Sequence, residues 1–290
     1  MIPTLAQVCE KAMTLPCAPV LMPKIMRVLQ KEDASIAEFE EVIRMDPALA
    51  AGTLRLANSA YFSGGGSSAD NLEEAIQRLG QREIYRLAAL ALTGRWMTTP
   101  VEGFRWGVGD FCRFSLITAL AAEYLAQQTE AIEPQVAYAA GLIHEIGKLA
   151  LAYSCMEYFG AIRAKQEADN TTWLAAEQSI LGYTHAEVGA ALLKRWNFPA
   201  SLIAVAQYNP PTLESPKESL VLLSHIHVAK FIATSMGAGV GEEGFLFELN
   251  QPLMAAGGFT PEMIEAAMPE VFDRATRLLQ DKLTHGSLSF

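Results

Sequence analysis

The residues of this chain best suited to chemistry are His144 and Glu145, set in the apolar run Gly141-Leu142-Ile143-His144-Glu145-Ile146-Gly147-Lys148. An imidazole beside a carboxylate on an apolar helix is what a buried divalent-metal site uses, nitrogen and oxygen donors held in a dry pocket. A dinuclear site of that kind needs further His and Asp ligands from other helices, and the chain offers few. His225 and His227 stand two apart on an expected helix, so they face different directions and do not chelate as a pair. At least one of them reads as a core or interface histidine. His285 lies in the polar end Thr284-His285-Gly286-Ser287 and reads as part of a frayed tail.

Other chemistries find less support. Cys9, Cys17, Cys112 and Cys155 are scattered without a Cys-x-x-Cys pair, which argues against a zinc ribbon or a disulfide framework and for buried, reduced thiols. No Gly-x-Ser-x-Gly elbow is present. Ser63-Gly64-Gly65-Gly66-Ser67-Ser68 reads as a connector: a phosphate loop would follow a strand, open a helix and carry a Lys-Ser/Thr pair. Trp173, Trp196, Tyr183 and Phe198 read as packing residues, with stacking on a purine as their alternative use.

The elements that must position these residues are helices. Ser35 with Glu38 forms a capping box ahead of Ile36, Phe39, Val42 and Ile43 at helical spacing. Asp46-Pro47 opens another helix, and Thr184 with Glu187, Ser215-Pro216 with Glu218, and Thr260-Pro261 repeat the grammar. Gly182 reads as a helix stop. In the tail, Pro261, Met263, Ile264, Ala267, Val271, Ala275 and Leu278 recur at three- and four-residue spacing, which predicts a helix with one apolar side that docks on the body or on a second subunit. Breaks at Thr98-Thr99-Pro100 and Gly237-Ala238-Gly239-Val240-Gly241 complete an organisation of an N-terminal helix (1–14), a helical subdomain (15–100), a second one (101–236) and a helical tail (237–290). Convincing alternating strands are absent, so the fold class is all-α.

Composition narrows the function classes. With 51% hydrophobic and 19% charged residues the chain is globular, and a net charge of −10 argues against general affinity for nucleic acid. No signal peptide is visible at the N-terminus, and Glu123 interrupts the long apolar stretch after Arg113, which leaves it short of a membrane span. A cytoplasmic location is expected.

Two blocks resemble the HDOD family, the non-catalytic output-domain relatives of HD-type metal phosphohydrolases in bacterial signal transduction. The first comprises Leu15-Pro16 to Pro23, Asp46-Pro47-Ala48-Leu49, Leu54-Arg55-Leu56-Ala57-Asn58-Ser59-Ala60-Tyr61-Phe62 and Ala75-Ile76-Gln77-Arg78-Leu79-Gly80. The second comprises the His144 block, Glu177, Gly182-Tyr183-Thr184-His185-Ala186-Glu187-Val188-Gly189-Ala190, and Leu192 through Trp196-Asn197-Phe198-Pro199. The resemblance implies an N-terminal helical subdomain packed on an HD-like one. Asn58 and Ser59, at an expected helix end, take a structural role, satisfying free backbone groups.

The resemblance also implies where an HD enzyme would place its ligands. Its first His falls on Phe114, its His-Asp pair on His144-Glu145, its next His on His185, its His-His pair on Tyr208-Asn209, and its final Asp on Lys230. His144, Glu145 and His185 could hold one Zn²⁺ by count, but an ammonium at Lys230 repels a dication and should instead pair with Glu145. The expectation is therefore no bound metal or cofactor, no catalysis, and a regulatory module that binds an unidentified signalling protein, with a homo-oligomer compatible with the sequence. The alternatives are a nucleotide or small-ligand sensor using the relict pocket around His144, His185, Lys230 and Tyr208, and a weak metal phosphohydrolase.

Overall fold

The computed structural model describes residues 2–12, 28, 31, 34–44, 50, 53, 54, 56–58, 62, 69–96, 101–196, 198–239, 241 and 247–284. Chain contacts divide it into two compact units, one comprising Met1–Ala18 with Trp96–Ser287 and the other running from Pro19 to Arg95. Among the described residues there is no strand beyond an isolated bridge between Val101 and Trp106. No described helix is long and apolar enough to cross a membrane.

In the smaller unit α2 (Ile36–Arg44) and α3 (Leu72–Trp96) are described. The Ser35–Glu38 capping box is formed: Glu38 Oε2 accepts from Ser35 N at 3.1 Å, and Ser35 Oγ accepts from Glu38 N at 3.3 Å. Asn58 takes its expected structural role. Its amide donates to Ala69 O at 3.0 Å while its carbonyl accepts from Ala69 N at 2.7 Å. Arg78, from the Gln77-Arg78-Leu79-Gly80 block, reaches the same place, donating to Ala57 O at 3.2 Å and Asn58 Oδ1 at 3.3 Å. These two sequence signatures thus form one backbone clamp. Gly80, with φ of 74°, kinks α3 in a conformation that other residues rarely adopt. Asp46-Pro47, Ser59 and the triple glycine lie outside the described residues.

The larger unit holds α1 (Leu5–Ala12), α4 (Asp110–Thr129), α5 (Pro134–Ile143), α6 (Ile146–Cys155), α7 (Phe159–Asp169), α8 (Trp173–Leu181), α9 (His185–Arg195), α10 (Ala200–Gln207), α11 (Lys217–Ser235), α12 (Gln251–Ala256) and α13 (Pro261–Thr284). Helix α4 is the central rod: α5, α11 and α13 pack around it, and fourteen of its side chains, from Phe111 to Ala126, are buried. The α4–α5 contact closes at Gly141, where a Cβ would stand 2.5 Å from Ala119 Cα. Helix α6 packs on α9 and α1.

Local signals explain most of these boundaries. Thr184 and Glu187 form a complete capping box on α9, Thr260 Oγ1 accepts from Met263 N at 3.3 Å at the start of α13, and Gly182 ends α8 in the left-handed region at φ 83°. The box expected at Ser215 does not form. Pro216 caps α11 without a side-chain bond, and Ser215 Oγ instead accepts from Thr212 N at 3.0 Å, because the preceding turn claims the hydroxyl.

The tail helix docks as its apolar spacing predicts. Ile264, Ala267, Val271 and Ala275 are buried, α13 packs on α4 and α11, and Arg274 forms an ion pair with the buried Glu123. Cys9, Cys112 and Cys155 are buried, whereas Cys17 and His285 lie outside the described residues.

Candidate functional site

His144 and Glu145 do not sit within one helix. His144 is the C-terminal cap of α5 and Glu145, at φ −108° and ψ 16°, is the N-terminal cap of α6, so the pair marks a junction. The junction is held from two sides. Gly141 brings α5 against α4 and sets His144 beside Phe114, ring centroids 5.3 Å apart. Gly147 brings α6 against α9: a Cβ there would strike the His185 carbonyl and lie 2.8 Å from Gly189 N, so only glycine allows the approach that sets His185 beside Glu145.

Glu145 is fully buried and is the hub. Lys230 Nζ donates to its Oε1 at 2.6 Å. Lys148 Nζ stands 3.3 Å from Oε2, in ionic contact without hydrogen-bond alignment. His185 Nε2 lies 3.7 Å from Oε2 and His144 Nε2 lies 3.9 Å from Oε1. Burial alone would raise the carboxyl's pKa, but Lys148 and Lys230 outweigh it and hold the group well below the usual carboxylate range.

Each histidine has a fixed tautomer. His144 Nδ1 donates to Gly141 O at 2.7 Å, which leaves Nε2 as a bare lone pair, buried and without a hydrogen-bond partner. Burial first, with Lys230 and Lys148 adding to it, lowers the His144 pKa to about 4 against opposing pulls from Glu145 and Gly141. His185 Nδ1 faces Glu177 at 2.8 Å and 3.0 Å, and Glu177 also accepts from His185 N and from Trp173 Nε1, both at 2.8 Å. Trp173 and Glu177 thus position His185.

Around this hub the other positions singled out in the sequence fall as follows. Phe114 packs on His144 and Trp106, and the ring lies so close to Gly239 that a Cβ there would collide with it. Asn209 donates to His144 O at 3.3 Å. Tyr208 does not join the hub. It lines a cavity of about 10 Å³ with Asn209, His227, Lys230 and neighbouring apolar residues, and neither His144 nor His185 belongs to that lining. The structure therefore brings together Phe114, His144, Glu145, His185, Asn209 and Lys230 and leaves Tyr208 at the edge.

Of the other histidines, His225 is a satisfied core residue, with Nδ1 on Val221 O at 2.7 Å and Nε2 on Thr129 Oγ1 at 2.9 Å. Tyr183 and Trp173 are both buried and hydrogen-bonded, Tyr183 to Pro3 O at 2.7 Å.

Lys148 was not assigned a role by its sequence position. It is 1% exposed, with its ammonium 5.3 Å from the Phe104 ring centroid and 5.2 Å from that of Trp106. Its spacing three residues after Glu145 was the available signal, since that spacing shares a helix face.

By donor type the hub gathers two imidazoles and a carboxylate, the kinds of group a metal uses, with Gly141 O and Glu177 orienting the rings as outer partners do. By charge it does not fit a dication. The carboxylate between the imidazoles is already bonded by the Lys230 ammonium, with that of Lys148 beside it. Among the described residues no group of three or more His, Cys, Asp or Glu side chains is placed to hold a metal ion.

Residues 15–210 match the HDOD domain family. An uncharacterised protein of Treponema pallidum (strain Nichols) is 24% identical over 224 residues, covering 77% of this chain and 43% of that protein, so the chain spans less than half the length of this relative. Three solved structures share the fold. An HDOD domain protein of unknown function from Geobacter sulfurreducens has a TM-score of 0.72 at 22% identity, covering 93% of this chain and 95% of that one. A protein of Marinobacter aquaeolei VT8, named as a candidate signal transduction protein, has a TM-score of 0.70 at 22% identity over 93% and 60%. A protein of Shewanella amazonensis SB2B, named as a candidate phosphohydrolase, has a TM-score of 0.65 at 25% identity over 93% of each chain.

Proposed function

The chain belongs to the HDOD family, and we propose that it is a non-enzymatic signal-transduction module acting through a partner protein. The observation that carries this reading is the Lys230–Glu145 bond of 2.6 Å, which puts an internal cation where a metal-dependent hydrolase would gather carboxylates. Phe114 supports it, because a phenyl ring at a ligand position offers no donor and fills the space beside His144. The name of the Marinobacter neighbour agrees with a signalling role, whereas that of the Shewanella neighbour favours the phosphohydrolase alternative. A nucleotide sensor built on the same pocket finds less support: small-molecule sites run to several hundred Å³, and the cavity beside Lys230 holds about 10 Å³.

Two measurements test the reading. Purified protein assayed with phosphomonoester, phosphodiester and nucleotide substrates under added Mn²⁺, Mg²⁺ or Zn²⁺ should show no turnover above a boiled control. Metal-dependent turnover abolished by His144→Ala would overturn the non-enzymatic half. In-cell photo-crosslinking from exposed helical positions should give a discrete adduct with one protein, and its absence across growth states would remove the partner half.

A further inference from the structure

The connection from α11 to α12 meets the walls of the Glu145 hub on two sides. Its described residues are 236–239, 241 and 247–250. On the first side three rings cover ionisable groups of the hub. Phe104 and Trp106 stand against Lys148, Phe104 also meets the His185 ring edge-on at 5.9 Å, and Phe114 covers His144. Gly239 lies against the Phe114 ring, and Gly241 against the Trp106 indole and the Phe104 carbonyl, each so closely that a Cβ would collide. On the second side Phe247 stands 5.3 Å from Lys230 Nζ, and Asn250 N donates to His227 Nε2 at 2.9 Å. One connection therefore braces the walls beside His144, Lys148, His185 and Lys230.

The glycines separate seating from backbone shape. Gly237 and Gly239 share a left-handed φ, 77° and 74°, but a Cβ on Gly237 would meet nothing within 4 Å. Gly241 lies outside that region, so contact alone calls for glycine there. Two forces act on this seat in opposite directions. Packing holds it closed, although its glycines contribute no side chain to the core. Desolvation works against it, because ions kept from water recover only part of that cost from one another. Segments with few buried apolar contacts open well before the whole fold does.

We propose that the α11–α12 connection is a strap that opens as a unit. Seated, it seals the hub; released, it admits water to Glu145 while α4 and α5 stay folded. The strap governs access to the hub whether or not the hub is catalytically silent, so the inference does not depend on the signalling reading.

Native-state amide exchange of the unaltered chain in low urea reads the opening. The N–H groups of Val101, Trp106, Gly241 and Asn250 are bonded to Trp106 O, Val101 O, Gly239 O and His227 Nε2. They should share one opening with one urea dependence, at least about tenfold more frequent than that of the α4 amides. Exchange of the four only through global unfolding, or through openings of unrelated urea dependence, overturns the proposal. Fluorotryptophan labelling then reads the wall itself. The Trp106 ¹⁹F resonance, assigned with Trp106→Phe, should gain a larger shift between light and heavy water in Gly239→Ala and Gly241→Ala. Gly237→Ala adds the backbone strain without the collision and should leave that resonance unchanged. An equal gain in Gly237→Ala, or none in the other two, also overturns the proposal. If a crowded variant does not fold, the exchange measurement on the unaltered chain still decides.

Discussion

Glu123 and Glu145 are two carboxylates buried in the same unit, and they are answered differently. Glu123, on α4, is 1% exposed and pairs with Arg274 from the tail helix, whose side chain keeps 20% of its exposure. The pair lies on the face where α13 docks, and it serves that docking. Glu145 is fully enclosed, with Lys230 on one oxygen, Lys148 beside the other and two imidazoles within 4 Å. The difference separates an ion pair at a docking face from a closed cluster of ionisable groups inside the core, and it predicts different responses to damage.

The largest contrast should come from removing the cations. Lys230→Met strands a fully buried carboxylate and should cost about 3 kcal/mol of stability, the lower part of the range for broken buried pairs because Lys148 remains. Arg274→Met should cost less, about 1–2 kcal/mol, because solvent reaches the pair once the guanidinium is gone. Urea unfolding of both variants ranks them, and equal costs would remove the distinction drawn here. In Arg274→Met the loss should be local, with amide exchange rising first in α13, whereas Lys230→Met should lower protection across α5, α6, α9 and α11 together.

Acid should act next, through the hub. In the unfolded chain His144 binds a proton as pH falls through 6.5, whereas in the folded protein it stays neutral down to about 4. Between those values the unfolded state holds more protons, so stability falls as pH falls. The full difference is on the order of 3 kcal/mol. His227, also lowered to about 4, acts with the same sign over the same window. Glu145 follows: its depressed pKa contributes stability that is present above the unfolded carboxylate value and lost as pH falls through the folded one. Chemical denaturation at a series of pH values should show stability declining below about pH 6.5, and His144→Phe should flatten the decline.

The smallest effect concerns His185. Glu177→Gln keeps the shape but replaces an anion that three N–H groups address, and about 1–2 kcal/mol should be lost. The diagnostic readout is the tautomer, since ¹⁵N shifts of His185 should report a weakened Nδ1–H in the variant and an unchanged His144.

Much of the fold was legible because its signals are local. Ser35 with Glu38, Thr184 with Glu187, Thr260 and Gly182 act within one helical turn, and each forms the cap or stop its type predicts. Ser215 failed for the same reason: the residues before it competed for its hydroxyl. At the site, the Lys230–Glu145 pair could be read because a cation standing where a carboxylate was expected needs a partner, and Glu145 was the charge left over. Lys148 was not readable. A lysine three residues after a glutamate usually marks a solvated helix face, whereas Phe104 and Trp106, about forty residues upstream, lie against this one. His227 was hidden similarly, because its Nε2 is claimed by the backbone of Asn250 beyond the glycine-rich break.

The central claim, that the Lys230 ammonium occupies the charge position of a lost metal, is tested most directly by calorimetric titration of Mn²⁺ and Zn²⁺ into the unaltered chain and into Phe114→His/Glu145→Asp/Lys230→Asp. Circular dichroism should first establish that the triple variant is folded. The account predicts no specific metal binding by the unaltered chain and a saturable site in the variant, lost again on His185→Ala. Tight stoichiometric binding by the unaltered chain, or a folded triple variant that binds no better than its parent, would contradict it.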